Sequence, residues 1–188
     1  MKANIRFITA ATGTVSFKVI GGAKQYVFGH SILYNKLPPG RYLVEVLSND
    51  DGHSPLMSAN IDVSEGNYYT FCLTSAKDTF QSFLFTDYPS VPEGESAIRF
   101  IHLAEPHALY DIAITEGDVV FASLSYSEAS HYLPVYPMKV QMEIRISGRK
   151  EVILPLPNTL FHENKPSTIY LVKPHNRNQT IKSLTLHP

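Results

Sequence analysis

The sequence contains no tryptophan and one cysteine, and none of its apolar runs approaches the ~18 residues needed to span a membrane as a helix. Each absence excludes a class. A lone Cys72 rules out an intrachain disulfide, and its setting in an apolar strand-like run predicts a buried, inert thiol rather than a nucleophile. Charge of one sign is also lacking. The 16 Lys and Arg and 17 Asp and Glu are spread over both halves, leaving no basic stripe to displace counterions, so no nucleic acid partner is expected. Met1-Lys2-Ala3-Asn4 runs straight into a strand pattern, with no apolar h-region and no small-residue cleavage site. Neither a signal peptide nor membrane insertion is expected on that reading. No glycine-rich phosphate loop occurs, and no cofactor is implied. Gly29-His30-Ser31-Ile32-Leu33 lacks the second glycine and the following helix of a nucleophile elbow, so no catalytic residue is assigned.

What is present is a folded, strand-rich chain, 44% apolar and 11% aromatic, with the aromatic share supplied by Tyr and Phe. Ile5, Phe7 and Thr9 alternate with Arg6 and Ile8, and Tyr42, Val44 and Val46 alternate with Leu43, Glu45 and Leu47. Such short period-two runs, rich in β-branched and aromatic residues, read as strands. Turn signals punctuate them at Gly21-Gly22, Pro38-Pro39-Gly40, Asp50-Asp51-Gly52, Ser64-Glu65-Gly66-Asn67 and Ser147-Gly148-Arg149. Asp51-Gly52 and Gly148 are expected to turn matching hairpins.

The pattern occurs twice. Asn4-Ile5-Arg6-Phe7-Ile8-Thr9 returns as Ala97-Ile98-Arg99-Phe100-Ile101-His102, and Tyr34 to Arg41 aligns with Tyr132 to Lys139. Tyr69-Thr70-Phe71-Cys72-Leu73 is matched to Thr168-Ile169-Tyr170-Leu171-Val172, and Ser82 to Phe85 to Ser183 to Leu186. The offset only grows, as expected when small insertions enter the loops of the second copy. The fold expected is all-β: two tandem antiparallel Greek-key β-sandwiches of about seven strands each, related by internal duplication. They are drawn at 1–86 and 97–188, with 87–96 as linker.

These residues resemble a family. Arg99-Phe100-Ile101-His102 followed by Asp111-Ile112-Ala113-Ile114 is similar to the opening motif of the bacterial domain-of-unknown-function 4397 family, of immunoglobulin-like or transthyretin-like sandwich modules. Pro38-Pro39-Gly40-Arg41-Tyr42 and Gly66-Asn67-Tyr68-Tyr69-Thr70-Phe71 resemble two further elements of that family. In the first copy Thr9 stands at the histidine position and Ser16 at the aspartate position. The resemblance implies a module of secreted or envelope proteins, hence a cell-envelope or extracellular location, and brings no activity with it. Read as residues, Gly40 and Gly66 are turn formers, and Tyr42 and Tyr69 are rings that bury themselves and bond their hydroxyls across a corner.

Two sets of residues carry candidate chemistry. His102, Glu105, His107 and Asp111 offer nitrogen and carboxylate ligands to a borderline metal, although their spacing matches no established motif and a strand-end histidine commonly serves a loop carbonyl. Tyr126, Tyr132 and Tyr136 cluster near the insertions of the second copy and would form a binding platform if exposed, or core if not. Asn49-Asp50-Asp51-Gly52-His53 is too short to enclose calcium, and Asn178-Gln179-Thr180 matches a glycosylation sequon by composition alone. The functional expectation is a non-enzymatic structural or interaction module of the bacterial envelope or surface. It would bind a protein or cell-surface glycan, or associate with itself through edge strands. The alternative is a metal-binding protein or metal-dependent hydrolase centred on His102 and His107.

Overall fold

A computed structural model describes the chain except at residues 12–13, 51–53, 77–78, 89, 105–106, 174–179 and 188, and at 76 beyond its backbone. The expected Asp51-Gly52 turn, Glu105 and the Asn178-Gln179 pair lie outside the described residues. The chain divides into two compact units, Met1–Tyr88 and Pro89–Pro188. No helix occurs among the described residues, so none is long and apolar enough to cross a membrane.

The first unit contains β1 Ala3–Thr9, β2 Val15–Gly21, β3 Lys24–Gly29, β4 Ser31–Leu37, β5 Gly40–Ser48, β6 Pro55–Val63, β7 Tyr68–Ala76 and β8 Thr79–Asp87. They form one sheet in the order β4-β1-β7-β8 and another in the order β3-β2-β5-β6. Ile5 and Phe7 of β1, Phe17 and Val19 of β2, Val44 and Val46 of β5 and Phe71 and Leu73 of β7 bury themselves in one shared core. Strand alternation sends every second side chain inward, and the inward set is the apolar one. Phe7 sits at its centre, with ring centroids 5.0 Å from Phe17, 5.1 Å from Phe28 and 5.7 Å from Phe71.

The second unit repeats this order. Its strands are β9 Ser96–Leu103, β10 Tyr110–Ile114, β11 Val119–Leu124, β12 Leu133–Val135, β13 Met138–Ile146, β14 Val152–Phe161, β15 Lys165–Val172 and β16 Lys182–Leu186. The sheets run β12-β9-β15-β16 and β11-β10-β13-β14, the first unit's orders with each strand replaced by its counterpart. The architecture is all-β, as the alternation predicts. It departs from the expectation in four details. Each unit has eight strands among the described residues rather than about seven, and Asp87 belongs to β8 rather than to a linker. One pair in each unit is parallel, β1 with β7 and β9 with β15. Parallel neighbours need a crossover, and the intervening strands provide it by passing through the opposite sheet. The register also moves the repeat alignment by one. Arg6 lies opposite Thr70 and Arg99 opposite Thr168, so Thr168 answers Thr70, not Tyr69. A one-residue slip exchanges the two faces of a strand, so this changes which side chains correspond.

The tyrosines expected at corners are there. Tyr42 donates its hydroxyl to Pro38 O at 2.8 Å, and the Tyr69 hydroxyl accepts from Ser64 N at 3.1 Å. Gly66 turns the chain between β6 and β7 at φ 77°, where a Cβ would be strained. Gly21 has a different reason to be small: a Cβ there would overlap the Tyr42 ring. Cys72 is buried and unbridged, as expected.

The arginines that mark the repeat are not surface residues. Arg6 is 0% exposed and Arg99 4%. Arg6 Nε donates to Thr70 Oγ1 at 2.7 Å, Thr70 Oγ1 donates onward to Asp87 Oδ2, and the Tyr34 hydroxyl donates to the same oxygen at 2.7 Å. The guanidinium lies 3.5 Å from that carboxylate through Nη2 and 4.6 Å from the centroid of the Tyr34 ring. Unit two rebuilds the set with Arg99 4.4 Å from the Tyr132 centroid, Arg99 Nη2 donating to Thr168 Oγ1 at 3.3 Å, and the Tyr132 hydroxyl 2.9 Å from Thr168 Oγ1. Deleting one partner of a buried ion pair strands the other, at about 3–5 kcal/mol. Arg6→Ala is therefore expected to lower unfolding free energy by about that amount. Removing Asp87 as well should add little. Urea denaturation reads both, and a loss for Arg6→Ala under about 1 kcal/mol, the scale of an exposed pair, would contradict the assignment.

Candidate functional site

The two positions that the opening motif singles out are occupied by fold-building contacts. His102, 0% exposed at the end of β9, accepts the Ala104 N–H at Nδ1, 3.2 Å away. That leaves the proton on Nε2, which faces Ala108 O at 3.2 Å and donates to it. Both ring nitrogens thus face backbone groups of the following loop. The ring also packs 4.2 Å from Tyr110 and edge-on to Tyr126 at 5.9 Å. In the first unit Thr9 does the same work, its Oγ1 accepting the Ala11 N–H at 3.0 Å. Threonine and histidine are thus two ways of receiving the amide two residues on.

Asp111 follows the same logic. Its Oδ1 accepts Ser123 N–H at 2.7 Å and its Oδ2 accepts Gly148 N–H at 3.0 Å, tying β10 to β11 and to the β13–β14 turn. Ser123 and Gly148 have φ of 53° and 72°, so the carboxylate clasps two backbone positions in the left-handed region. Burial pushes its pKa up. The two amides, the Ser147 hydroxyl and Arg145 together outweigh that and hold it below the ordinary 3.8. Ser16 is the first-unit counterpart, donating its hydroxyl to Asn49 Oδ1 at 3.0 Å just before the β5–β6 turn. His107 is exposed at φ 73°, and Glu105 lies outside the described residues. Among the described residues no group of three or more His, Cys, Asp or Glu is arranged to hold a metal. Ser31 is likewise engaged locally, its hydroxyl accepting the Leu33 N–H at 3.1 Å.

The three tyrosines differ in exposure and in partners. Tyr126 is half-buried against His102, Tyr132 is half-buried beneath Arg99, and Tyr136 alone is open, at 76% exposed, beside Pro134, Val135 and Glu95.

A different surface emerges between β14 and β16, the edge strands of the second unit's two sheets. A groove of about 430 Å³ opens there, with Leu156 and Ile169 among its lining and Thr159, Ser167, Ser183 and Thr185 bringing hydroxyls to it. In the first unit the corresponding strands β6 and β8 lie against one another, and larger groups stand at four of the corresponding positions, although Leu156 answers the smaller Ala59. By register, Ile61 answers Thr159, Tyr69 answers Ser167, Phe71 answers Ile169 and Leu84 answers Thr185. Ile61, Tyr69 and Phe71 are buried in the first core, with Leu84 packed against it. The groove is therefore the sandwich side that the first unit fills with apolar volume and the second leaves open. Register shifts also interrupt the β13–β14 ladder at Pro157-Asn158 and at Ile153. The sequence signal was available, since each change exchanges a large apolar or aromatic residue for a smaller or hydroxylated one.

A family model described as a domain of unknown function (DUF4397) matches residues 3–113, from β1 through β10. The chain belongs to the DUF4397 family. No match is found among curated proteins. Among solved structures, the chain is similar to the Bacillus anthracis TIE protein at 11% identity and a TM-score of 0.31, covering 99% of this chain and 43% of that one. It is also similar to a Parabacteroides distasonis protein provisionally named for cell adhesion, at 10% identity and a TM-score of 0.27, covering 100% and 98% of the two chains. At these values neither likeness bears on function.

For a DUF4397 chain the aspartate of the opening motif is thus a clasp, and its removal has a definite pH signature. A carboxylate held below its unfolded value stabilises the fold above 3.8 and loses that contribution as pH falls through its lower folded value. Asp111→Ala is expected to cost about 1.5–3 kcal/mol at neutral pH, the worth of bonds to a charged group. The gap to the parent should stay constant down to pH 3.8 and close below it. Urea titrations across that range check this, and a gap that widens on acidification would refute it.

Proposed function

We propose that this chain is a non-enzymatic interaction module of the bacterial cell envelope or surface, built from two copies of one immunoglobulin-like or transthyretin-like sandwich, with its binding surface on the second copy. The observation that carries this reading is the groove between β14 and β16, present where the first unit is packed shut. A concave site with convergent polar groups over apolar side chains is the usual form of a binding surface. The side chains that resemble reaction chemistry support the same reading, because His102, Asp111 and Ser31 are committed to backbone groups that hold loops in place. Duplication is supported by the identical strand orders and by the Arg-Tyr-Thr set that each unit rebuilds. The envelope location is that expected of the family resemblance.

Co-sedimentation of the intact chain with washed bacterial envelope preparations tests the reading. The expected result is saturable retention that free chain competes away. Retention no greater than that of an unrelated soluble protein would count against it, as would a metal-dependent or hydrolytic turnover lost in His107→Ala.

A further inference from the structure

We infer that the β14–β16 groove takes a neutral oligosaccharide, an assignment that rests on the interaction-module reading and gives its ligand a chemical class. Charge is the first argument. No Lys, Arg, Asp or Glu lines the groove among the described residues. A charged ligand there would lose hydration without gaining a counter-charge, which disfavours anionic glycans and charged peptides alike.

The second argument is the pattern of polar and apolar groups. Thr159, Ser167 and Thr185 bring hydroxyls to positions where the first unit has Ile61, Tyr69 and Leu84. The Thr159 hydroxyl donates to Leu156 O at 3.3 Å and the buried Ser167 hydroxyl lies 3.2 Å from His187 Nδ1, while the exposed Ser183 and Thr185 hydroxyls can both donate to and accept from a polyhydroxylated ligand. Exposed Pro155, Pro157 and Leu160 lie among them, above the buried Leu156 and Ile169, offering apolar contact to the C–H face of a sugar ring. The His162 and His187 rings, 5.3 Å apart and edge to face, add flat surfaces with nitrogens at their rims at one end.

The third argument is against a strand-adding peptide. Such a ligand draws its affinity from a row of main-chain hydrogen bonds along a sheet edge. Pro155 and Pro157 lack the N–H groups that β14 would contribute, and β16 spans only Lys182–Leu186. Prolines on an edge strand are a device for blocking that mode of association.

The test is an amide ¹H–¹⁵N titration of the intact chain with xylo-, cello-, malto-, manno- and chito-oligosaccharides, beside oligogalacturonate, a heparin fragment and an unrelated extended peptide. At least one neutral series is expected to move the amides of Thr159, Ser167 and Thr185 saturably. Two refilling variants, Ser167→Tyr and Thr185→Leu, restore the first unit's residues, and each that folds is expected to weaken binding by about tenfold or more. Thr185 is exposed, so Thr185→Leu keeps the test alive if the buried Ser167→Tyr fails to fold. The inference is overturned if no neutral saccharide moves the groove amides, if binding survives unchanged in a folded refilled variant, or if only the charged glycans or the peptide bind there. Envelope retention with a groove indifferent to neutral sugars would defeat this inference and leave the interaction-module reading standing. Loss of both would defeat the two together.

Discussion

A buried guanidinium at the centre of a sheet constrains everything around it. Arg6 has no access to water, so its charge has to be met within the protein, and Thr70, Asp87 and the Tyr34 ring meet it. Those partners come from β7, β8 and β4, so one side chain on β1 fixes all four strands of its sheet in register. An apolar residue in its place would tolerate a slip; a charge with directional partners does not. Unit two reuses the arginine, the threonine and the tyrosine at the same register positions, which explains why the Arg-Phe strand is the most visible feature of both halves.

Beyond that shared frame, the units solve common problems with different chemistry. The strand-end amide is received by threonine in one and histidine in the other, and the hairpin tie is made by serine in one and aspartate in the other. In the second unit His102 and Asp111 serve as alternative fasteners. What lacks a counterpart is the open side of the second sandwich, where small hydroxylated residues replace core volume. Leaving that volume unfilled forfeits dispersion contacts and apolar burial, a cost a purely structural repeat has no reason to retain.

Much of the fold was legible from residue alternation. The strands, the Tyr42 and Tyr69 corners and the buried Cys72 follow from local pattern, because a strand's two faces and a turn's glycine are encoded within a few residues. The parallel β1–β7 and β9–β15 pairs were not, since pairing sense depends on how distant strands are threaded. Nothing local marks Arg6 and Arg99 as buried, because a charge within an alternating strand ordinarily faces solvent. Asp87, Thr70 and Tyr34 reverse that from positions far along the chain. The groove was hidden for a related reason. Thr159, Ser167 and Thr185 sit on three strands and form no motif, and aligning Tyr69 with Thr168 placed the comparison on the wrong face. Nearness in sequence did not give Tyr126, Tyr132 and Tyr136 a common environment, because each packs against different partners.

The polar residues of the repeated motif build the fold, and the proposed recognition surface belongs to what differs between the units. The direct measurement is the tautomeric state of His102, read from a long-range ¹H–¹⁵N correlation spectrum of the intact chain at neutral pH with and without zinc. A proton on Nε2, a bare Nδ1 and a pattern unchanged by zinc are the predicted result. A proton on Nδ1, or a shift of either nitrogen on adding zinc, would contradict it and return the histidine to ligand chemistry.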